Sequence, residues 1–430
     1  MGFSIFAYVA ILLFVALLST RLMRIIKLPN VTGYILTGIL MGPFVFGLIF
    51  NSFDNVKTGI IYGFVNRINW VSTVALGFIA FSIGTSFKRA TIKALGKRVL
   101  IITILEALGA SLLVIIALLV AHFIRSDQVS WQMVLVLSAI ASATAPAATL
   151  MVIKQYNARG PLVNTLLPVV ALDDAAALIL FAILFQLASA LSGGTISVYT
   201  VLLKPLLEIT ISLAVGVVLG ILISVMNGWF KSRNNRLIWC IFSVFAALGF
   251  YYLFKHPKMG GFELSSLLIC MMAGAIYTNC VKDSNRTLDV MDRFTSPIYM
   301  MFFVISGASL DLSIFFNSDG LFVVIVAFIY IISRVIGKWT GAYTGASITR
   351  CEPQVRKYLG FALVPQAGVA IGLSTTAYRL FLESGVLELE KTGSLILAII
   401  LTSTLVYELI GPMVAKFAFK KAHEIPEENS

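Results

Sequence analysis

Residues 138–149 read Ser138-Ala-Ile-Ala-Ser-Ala-Thr-Ala-Pro-Ala-Ala-Thr149, a run of small and polar residues with a proline, set between the apolar stretches Met133–Leu137 and Leu150–Ile153. A second stretch has the same character: Leu363-Val-Pro-Gln-Ala-Gly-Val-Ala-Ile-Gly-Leu-Ser-Thr-Thr376. In a soluble chain either would read as a kinked helix. The rest of the sequence excludes that setting. Of 430 residues, 59% are hydrophobic and only 12% are charged, with a mean hydropathy of +0.95, whereas a soluble surface needs about a quarter charged residues. The chain is therefore an integral membrane protein, and the two stretches lie inside its membrane helices. Irregular backbone at bilayer depth survives only beside protein or a water-filled cavity, where its free carbonyls and half-helix ends become ligands for ions. Ala143, Pro146, Pro365 and Gln366 mark the two expected breaks.

Working outward, apolar runs of roughly 20 residues, the length needed to cross the hydrocarbon, fall near residues 2–20, 31–50, 69–87, 99–123, 131–153, 162–190, 205–229, 236–254, 263–281, 295–316, 320–345, 357–378 and 392–418. That predicts an all-α polytopic membrane protein of about 13 transmembrane helices. The first run has no cation before it and Arg21, Arg24 and Lys27 after it, the reverse of a cleavable signal peptide, so it reads as a retained helix. Of the 32 Lys and Arg residues, 22 fall in the odd-numbered connections and the C-terminal tail, against eight in the even-numbered ones. The positive-inside rule then places the N-terminus outside and the C-terminus in the cytoplasm of a plasma-membrane protein. The net charge of +12 reflects these loops and calls for no nucleic-acid partner. Cys240, Cys270, Cys280 and Cys351 lack metal-ligand spacing and predict no disulfide framework.

If helix seven is a connector, helices one to six and eight to thirteen form two sets of six with opposite orientation, and the interrupted helix is the fifth of each. Discontinuous helices at matching positions of inverted repeats point to a transporter site between them. The expected organisation is one transmembrane domain over residues 1–425, with repeat one about 1–190, a connector about 203–229, repeat two about 236–418, and a short tail at 419–430.

A charge at the bilayer centre costs at least about 2.5–3.5 kcal/mol, so each one present is paired, cavity-facing or functional. Asp173 and Asp174 lie mid-span in helix six, five residues after Pro168, which loosens the helix by removing the bond to the carbonyl of Asn164. Adjacent helical residues point about 100° apart, so the two acids have different partners. Subtracting the loop cations leaves Arg334 and Lys338, four apart on one face of helix eleven, as the natural counter-ions. Glu106 and Glu408 are the remaining mid-span acids, expected to touch the transported ion or to bond to Arg334 or loosened backbone. Glu208, Glu263, Asp311, His122 and His256 lie near run ends, where interfacial water suffices. The spacings Gly38/Gly42, Gly337/Gly341 and Gly368/Gly372 suggest close helix contacts.

Five ordered motifs resemble the monovalent cation:proton antiporter superfamily, in its branch of sodium/proton antiporters with an Asp-Asp pair and thirteen helices. They are Leu28-Pro-Asn-Val-Thr-Gly-Tyr-Ile-Leu-Thr-Gly-Ile-Leu-Met-Gly-Pro43, Ser142-Ala-Thr-Ala-Pro-Ala-Ala, Leu172-Asp-Asp, Gly337-Lys338 and Pro365-Gln-Ala-Gly-Val-Ala. The resemblance implies two crossed discontinuous helices in a core domain that moves against a dimerisation domain of a homodimer. It also implies that Asp174 binds either the monovalent cation or a proton and that Asp173 pairs with Lys338. No cofactor and no enzymatic activity follow from it.

The expected chemistry is competition for one site. A dehydrated sodium or lithium ion, met by Asp174, Asp173 and hydroxyls such as Thr144, displaces a proton from Asp174. If Lys338 loses Asp173 at that step and gives up its own proton, two protons move per cation. Potassium in place of sodium is the alternative within this class, and a gated cation channel or ion sensor the alternative outside it. An intramembrane aspartyl protease needs its two acids on facing helices, which adjacent positions do not provide.

Overall fold

A computed structural model of the chain describes residues 5–49, 59–85, 87, 89–125, 128–191, 203–230, 232–255, 264–281, 284–309, 320–383 and 386–426. Within these, regular structure is entirely helical. In chain order the helices are α1 (Ile5–Ile25), α2 (Asn30–Met41), α3 (Ile60–Ile68), α4 (Trp70–Gly84), α5 (Arg89–Ile124), α6 (Trp131–Ile140), α7 (Pro146–Tyr156), α8 (Pro161–Ala190), α9 (Lys204–Trp229), α10 (Arg233–Lys255), α11 (Ser266–Cys280), α12 (Ser284–Ala308), α13 (Gly320–Ile348), α14 (Pro353–Ala362), α15 (Gly368–Glu383) and α16 (Leu387–Lys421). Among the described residues, nine spans are long and apolar enough to cross a membrane. Four of the thirteen apolar runs fall outside that count: the fifth and twelfth because each is broken into two half-helices, α6 with α7 and α14 with α15, the ninth because α11 is only 15 residues long, and the tenth because its helix α12 has a polar first half.

Several boundaries differ from the hydropathy reading: α3 precedes the third run and α5 begins ten residues before the fourth. The second run ends as helix at Met41, where Gly42-Pro43 turns the chain into a short 3₁₀ segment at Phe46–Ile49, because proline cannot continue the hydrogen-bond ladder. The tenth helix begins at Ser284, well ahead of its apolar run, and carries Asp289, Asp292 and Arg293 in its first half. Hydropathy marks only the part of a helix that needs lipid or protein around it. Glu263, Asp311 and His256 lie outside the described residues.

The chain divides into two compact units. One comprises residues 1–94 and 206–310, the other residues 95–205 and 311–430. In the first, α2 packs on α12 at Gly38, where a Cβ would lie 2.0 Å from the Val304 carbonyl oxygen; only glycine lets the two backbones meet there.

The second unit holds both interrupted helices, and its apolar core is divided. One cluster gathers Ala110–Leu118 of α5, Ala177–Ala188 of α8, Val323–Tyr330 of α13 and Leu389–Tyr407 of α16 around α6 and α15. The other gathers Val99 and Ile102 of α5, Leu162–Val170 of α8, Ala342 and Ala346 of α13 and Ala415–Phe419 of α16 around α7 and α14. Between them lies a polar layer. Each of the four continuous helices places charge in it: Glu106 on α5, Asp173 and Asp174 on α8, Arg334 and Lys338 on α13, and Glu408 on α16. The interrupted helices place their breaks there.

At one end of this unit the residues after α16 fold back onto α8. The Glu424 carboxylate accepts from the backbone N–H groups of Leu162 and Val163, and the Arg159 N–H donates to the Glu424 carbonyl. An N-terminal helical turn has N–H groups with no partner of their own, so Glu424 acts as a cap supplied from 262 residues along the chain.

Candidate functional site

The breaks follow from local chemistry. Ala145 is extended, with φ −98° and ψ 105°, as a residue before proline prefers, and Pro146 opens α7 where no N–H is needed. Around the second break, residues 364–367 are non-helical between α14 and α15. The two irregular segments bond to each other: the Ala145 N–H donates to the Pro365 carbonyl at 2.8 Å. Gln366 donates from Nε2 to the Ile140 carbonyl at 2.9 Å and accepts at Oε1 from the Tyr330 hydroxyl at 3.1 Å.

Carbonyls freed at the ends of α6 and α14 still need donors. Arg334 supplies them, from Nε to Ala141 at 2.9 Å, from Nη1 to Val364 at 2.7 Å and from Nη2 to Ala143 at 2.7 Å. Its guanidinium lies 4.6 Å from the centre of the Tyr407 ring. A planar fork suits this task, since one cation must serve carbonyls from both breaks. It also neutralises the negative ends of two half-helices. The counter-ion for the acids expected at Arg334 is thus a backbone clamp instead.

Lys338 is the cation that meets the acids. Its Nζ lies 2.8 Å from Asp173 Oδ2 and 2.7 Å from Glu106 Oε2, donates to Thr144 Oγ1 at 2.7 Å, and also donates to the Ser142 carbonyl. The Thr144 hydroxyl donates to Asp173 Oδ2. Both basic side chains are completely enclosed, so neither snorkels to an interface. Glu106 therefore bonds to Lys338, not to Arg334 or to loosened backbone as its position suggested. The signal for this partner was in the glycines. Gly341 faces α5 so closely that a Cβ would lie 2.4 Å from the Leu105 carbonyl and 2.6 Å from the Glu106 Cα, and Gly109 faces Gly337 in the same crossing. Gly337-xxx-Gly341 on α13 thus brings Glu106 within reach of Lys338. The Gly368/Gly372 spacing makes no such contact at Gly372, where a Cβ meets nothing within 4 Å.

Asp173 and Asp174 differ as adjacent helical positions must. Asp173 is fully enclosed and engaged by Lys338 and Thr144, whereas Asp174 retains 7% exposure, and its Oδ1 has no hydrogen-bond partner among the described residues. Counting formal charges, the polar layer holds four carboxylates, Glu106, Asp173, Asp174 and Glu408, against two cations. Two positive charges short of neutrality in a low-dielectric layer is an arrangement that recruits small cations or protons.

Compared with known proteins, the chain superimposes on solved structures of the sodium proton antiporter MjNhaP1 from Methanocaldococcus jannaschii. One, at pH 8, gives a TM-score of 0.70 and another, from electron microscopy, 0.77; in both, 98% of each chain is covered at 16% sequence identity. At that identity the likeness establishes the fold alone. No curated protein matches by sequence. The sequence pattern of the transmembrane sodium/hydrogen exchangers matches residues 9–417, nearly the whole chain, and the protein belongs to the sodium/hydrogen exchanger family.

Proposed function

We propose that this multi-pass membrane transporter exchanges sodium or lithium for protons by alternating access, with cation and proton competing at Asp174. The observation that carries the reading is a buried carboxylate that no basic side chain pairs with among the described residues, beside two that are paired with Lys338. Lys338 is ion-paired with Asp173 and Glu106 and donates to Thr144, which donates in turn to Asp173, while among the described residues Asp174 has no such cation and its Oδ1 no hydrogen-bond partner, so it is open to a ligand. An arriving cation finds oxygen donors suited to a hard monovalent ion: the Asp174 and Asp173 carboxylates and the Thr144 hydroxyl. When it leaves, a proton neutralises Asp174, and the loaded layer can face the other side. With neither bound, the uncompensated charge opposes that movement.

Membership of the exchanger family and the fold shared with a sodium proton antiporter support sodium as the cation. The cation-rich connections support a plasma-membrane orientation with the N-terminus outside and the C-terminus in the cytoplasm. We extend the proposal to a homodimer in which the unit holding the interrupted helices is the moving core.

The test is reconstitution in liposomes with an acidic lumen, a pH-sensitive dye inside and sodium, lithium or potassium added outside. Sodium and lithium should alkalinise the lumen, and Asp174→Asn should abolish the response. A response to potassium alone reassigns the cation, and full exchange by Asp174→Asn refutes the site.

A further inference from the structure

Glu408 takes no part in the exchange just described, yet it lies in the same polar layer, 5% exposed. Its Oε2 has no hydrogen-bond partner among the described residues. One helical turn earlier, on the same face of α16, the Thr404 hydroxyl is fully buried and likewise without a partner. One turn later comes Pro412, which has no N–H to give to the Glu408 carbonyl. A carboxylate oxygen and a hydroxyl, neither with a hydrogen-bond partner among the described residues, thus lie one turn apart on one face of α16.

That face points at the second helix break. Residues 404, 408 and 411 fall on one stripe of α16, and Gly411 approaches Pro365, where an added Cβ would lie 3.0 Å from Cγ. The placement mirrors the Asp pair in chain order. Asp173 and Asp174 lie in the continuous helix that follows the first break, and Glu408 lies in the continuous helix that follows the second, each accompanied by a proline in its own helix, Pro168 or Pro412. The charge count calls for two positive ligands where the Asp174 site holds one.

We propose that the Glu408 carboxylate and the Thr404 hydroxyl form a second site at which a monovalent cation and a proton compete. Both donors are hard oxygens, the chemistry that sodium and lithium take. The proposal goes beyond the exchange site at Asp174 and does not depend on it.

The two are separated in purified full-length protein by measuring the unfolding midpoint, and the protons released into weakly buffered solution, on adding sodium, lithium or choline chloride. In the Asp173→Asn/Asp174→Asn double variant a saturable rise of the midpoint with sodium or lithium should persist, with release of up to one proton per chain. Adding Glu408→Gln, close to isosteric, should remove both. Thr404→Val, which keeps the carboxylate, should weaken the cation response severalfold and guards against a Glu408→Gln chain that fails to fold. A folded double variant with no cation response, or a response that survives both Glu408→Gln and Thr404→Val, overturns the second site while leaving the Asp174 reading untouched. Conversely, full exchange by Asp174→Asn with a Glu408-dependent response leaves this site standing alone.

Discussion

Replacing Arg334 by lysine keeps the charge and removes the fork. The side chain makes three hydrogen bonds to carbonyls, at 2.9, 2.7 and 2.7 Å, from Ala141 and Ala143 at the first break and Val364 at the second. Hydrogen bonds to a charged donor contribute about 1.5–3 kcal/mol each, and a buried carbonyl left without one costs a similar amount. A lysine ammonium gathers its three N–H donors on a single nitrogen and cannot span carbonyls that three separate guanidinium nitrogens reach across two breaks; if it keeps one, two bonds are lost and the loss is about 3–6 kcal/mol. Against a total stability of about 5–15 kcal/mol, that is a large share. The expected result is a markedly lower unfolding midpoint for Arg334→Lys in detergent, with or without sodium present. Were Arg334 instead a counter-charge for the acids, lysine would preserve stability and alter only the cation dependence of exchange. An unchanged midpoint therefore refutes the clamp and returns Arg334 to the ion site.

Two further outcomes follow from Glu106 and Glu424. If Lys338 retains Glu106 when Asp173 turns to an arriving cation, it keeps its proton, and native exchange should move one proton per cation and ignore a diffusion potential across the liposome. Glu106→Gln leaves the lysine unpaired at that step, so a second proton leaves, and a potential of 100 mV should then shift the sodium gradient held at equilibrium by about 2.3 kcal/mol; equal voltage sensitivity in the two proteins refutes the role. Burial pushes the Glu424 carboxyl above its ordinary value of 4.5, with Glu352 adding to the rise and the Leu162 and Val163 N–H groups opposing it. A raised folded value means that the packing of this turn onto α8 is most stable below about pH 4.5 and loses stability as pH rises through the folded value, because the burial cost of the carboxylate outweighs the cap bonds that favour it. Protection of the Leu162 and Val163 amides from hydrogen exchange should fall over that rise beyond the intrinsic pH effect, and Glu424→Gln, which still accepts but does not titrate, should flatten the step.

What the sequence made legible was whatever depends on the bilayer as solvent. Thirteen apolar runs, two proline-bearing breaks and six mid-span charges can be read directly because lipid penalises each departure from an apolar helix; the breaks appear where those penalties put them, while helix ends outside the hydrocarbon, as at α5 and α12, do not. Partner choice was less legible. Arg334 and Lys338 are one turn apart on one face, and nothing in their spacing says that the first meets carbonyls and the second meets carboxylates. That division depends on where the breaks cross, a distance between segments more than 200 residues apart. Glu106 found Lys338 because three glycines on two helices remove the Cβ atoms that would hold α5 and α13 apart, and only two of the three stood out as a spaced pair.

The polar layer explains why such a costly set of charges persists. In the second unit the two apolar clusters supply the packing, and neither contains a charged group. The layer between them can then be tuned for ions without weakening either cluster. Its internal bonds form a hierarchy: Arg334 holds the breaks, Lys338 holds Asp173 and Glu106, and the carboxylates of Asp174 and Glu408 are left over. An ion site must bind weakly enough to release its cargo, so the residues that carry function are those the structure leaves unsatisfied, and the fully bonded arginine and lysine are the frame that makes leaving them so affordable. On that argument, substitutions at Asp174 should change what is transported with little loss of stability, whereas substitutions at Arg334 should reverse that order.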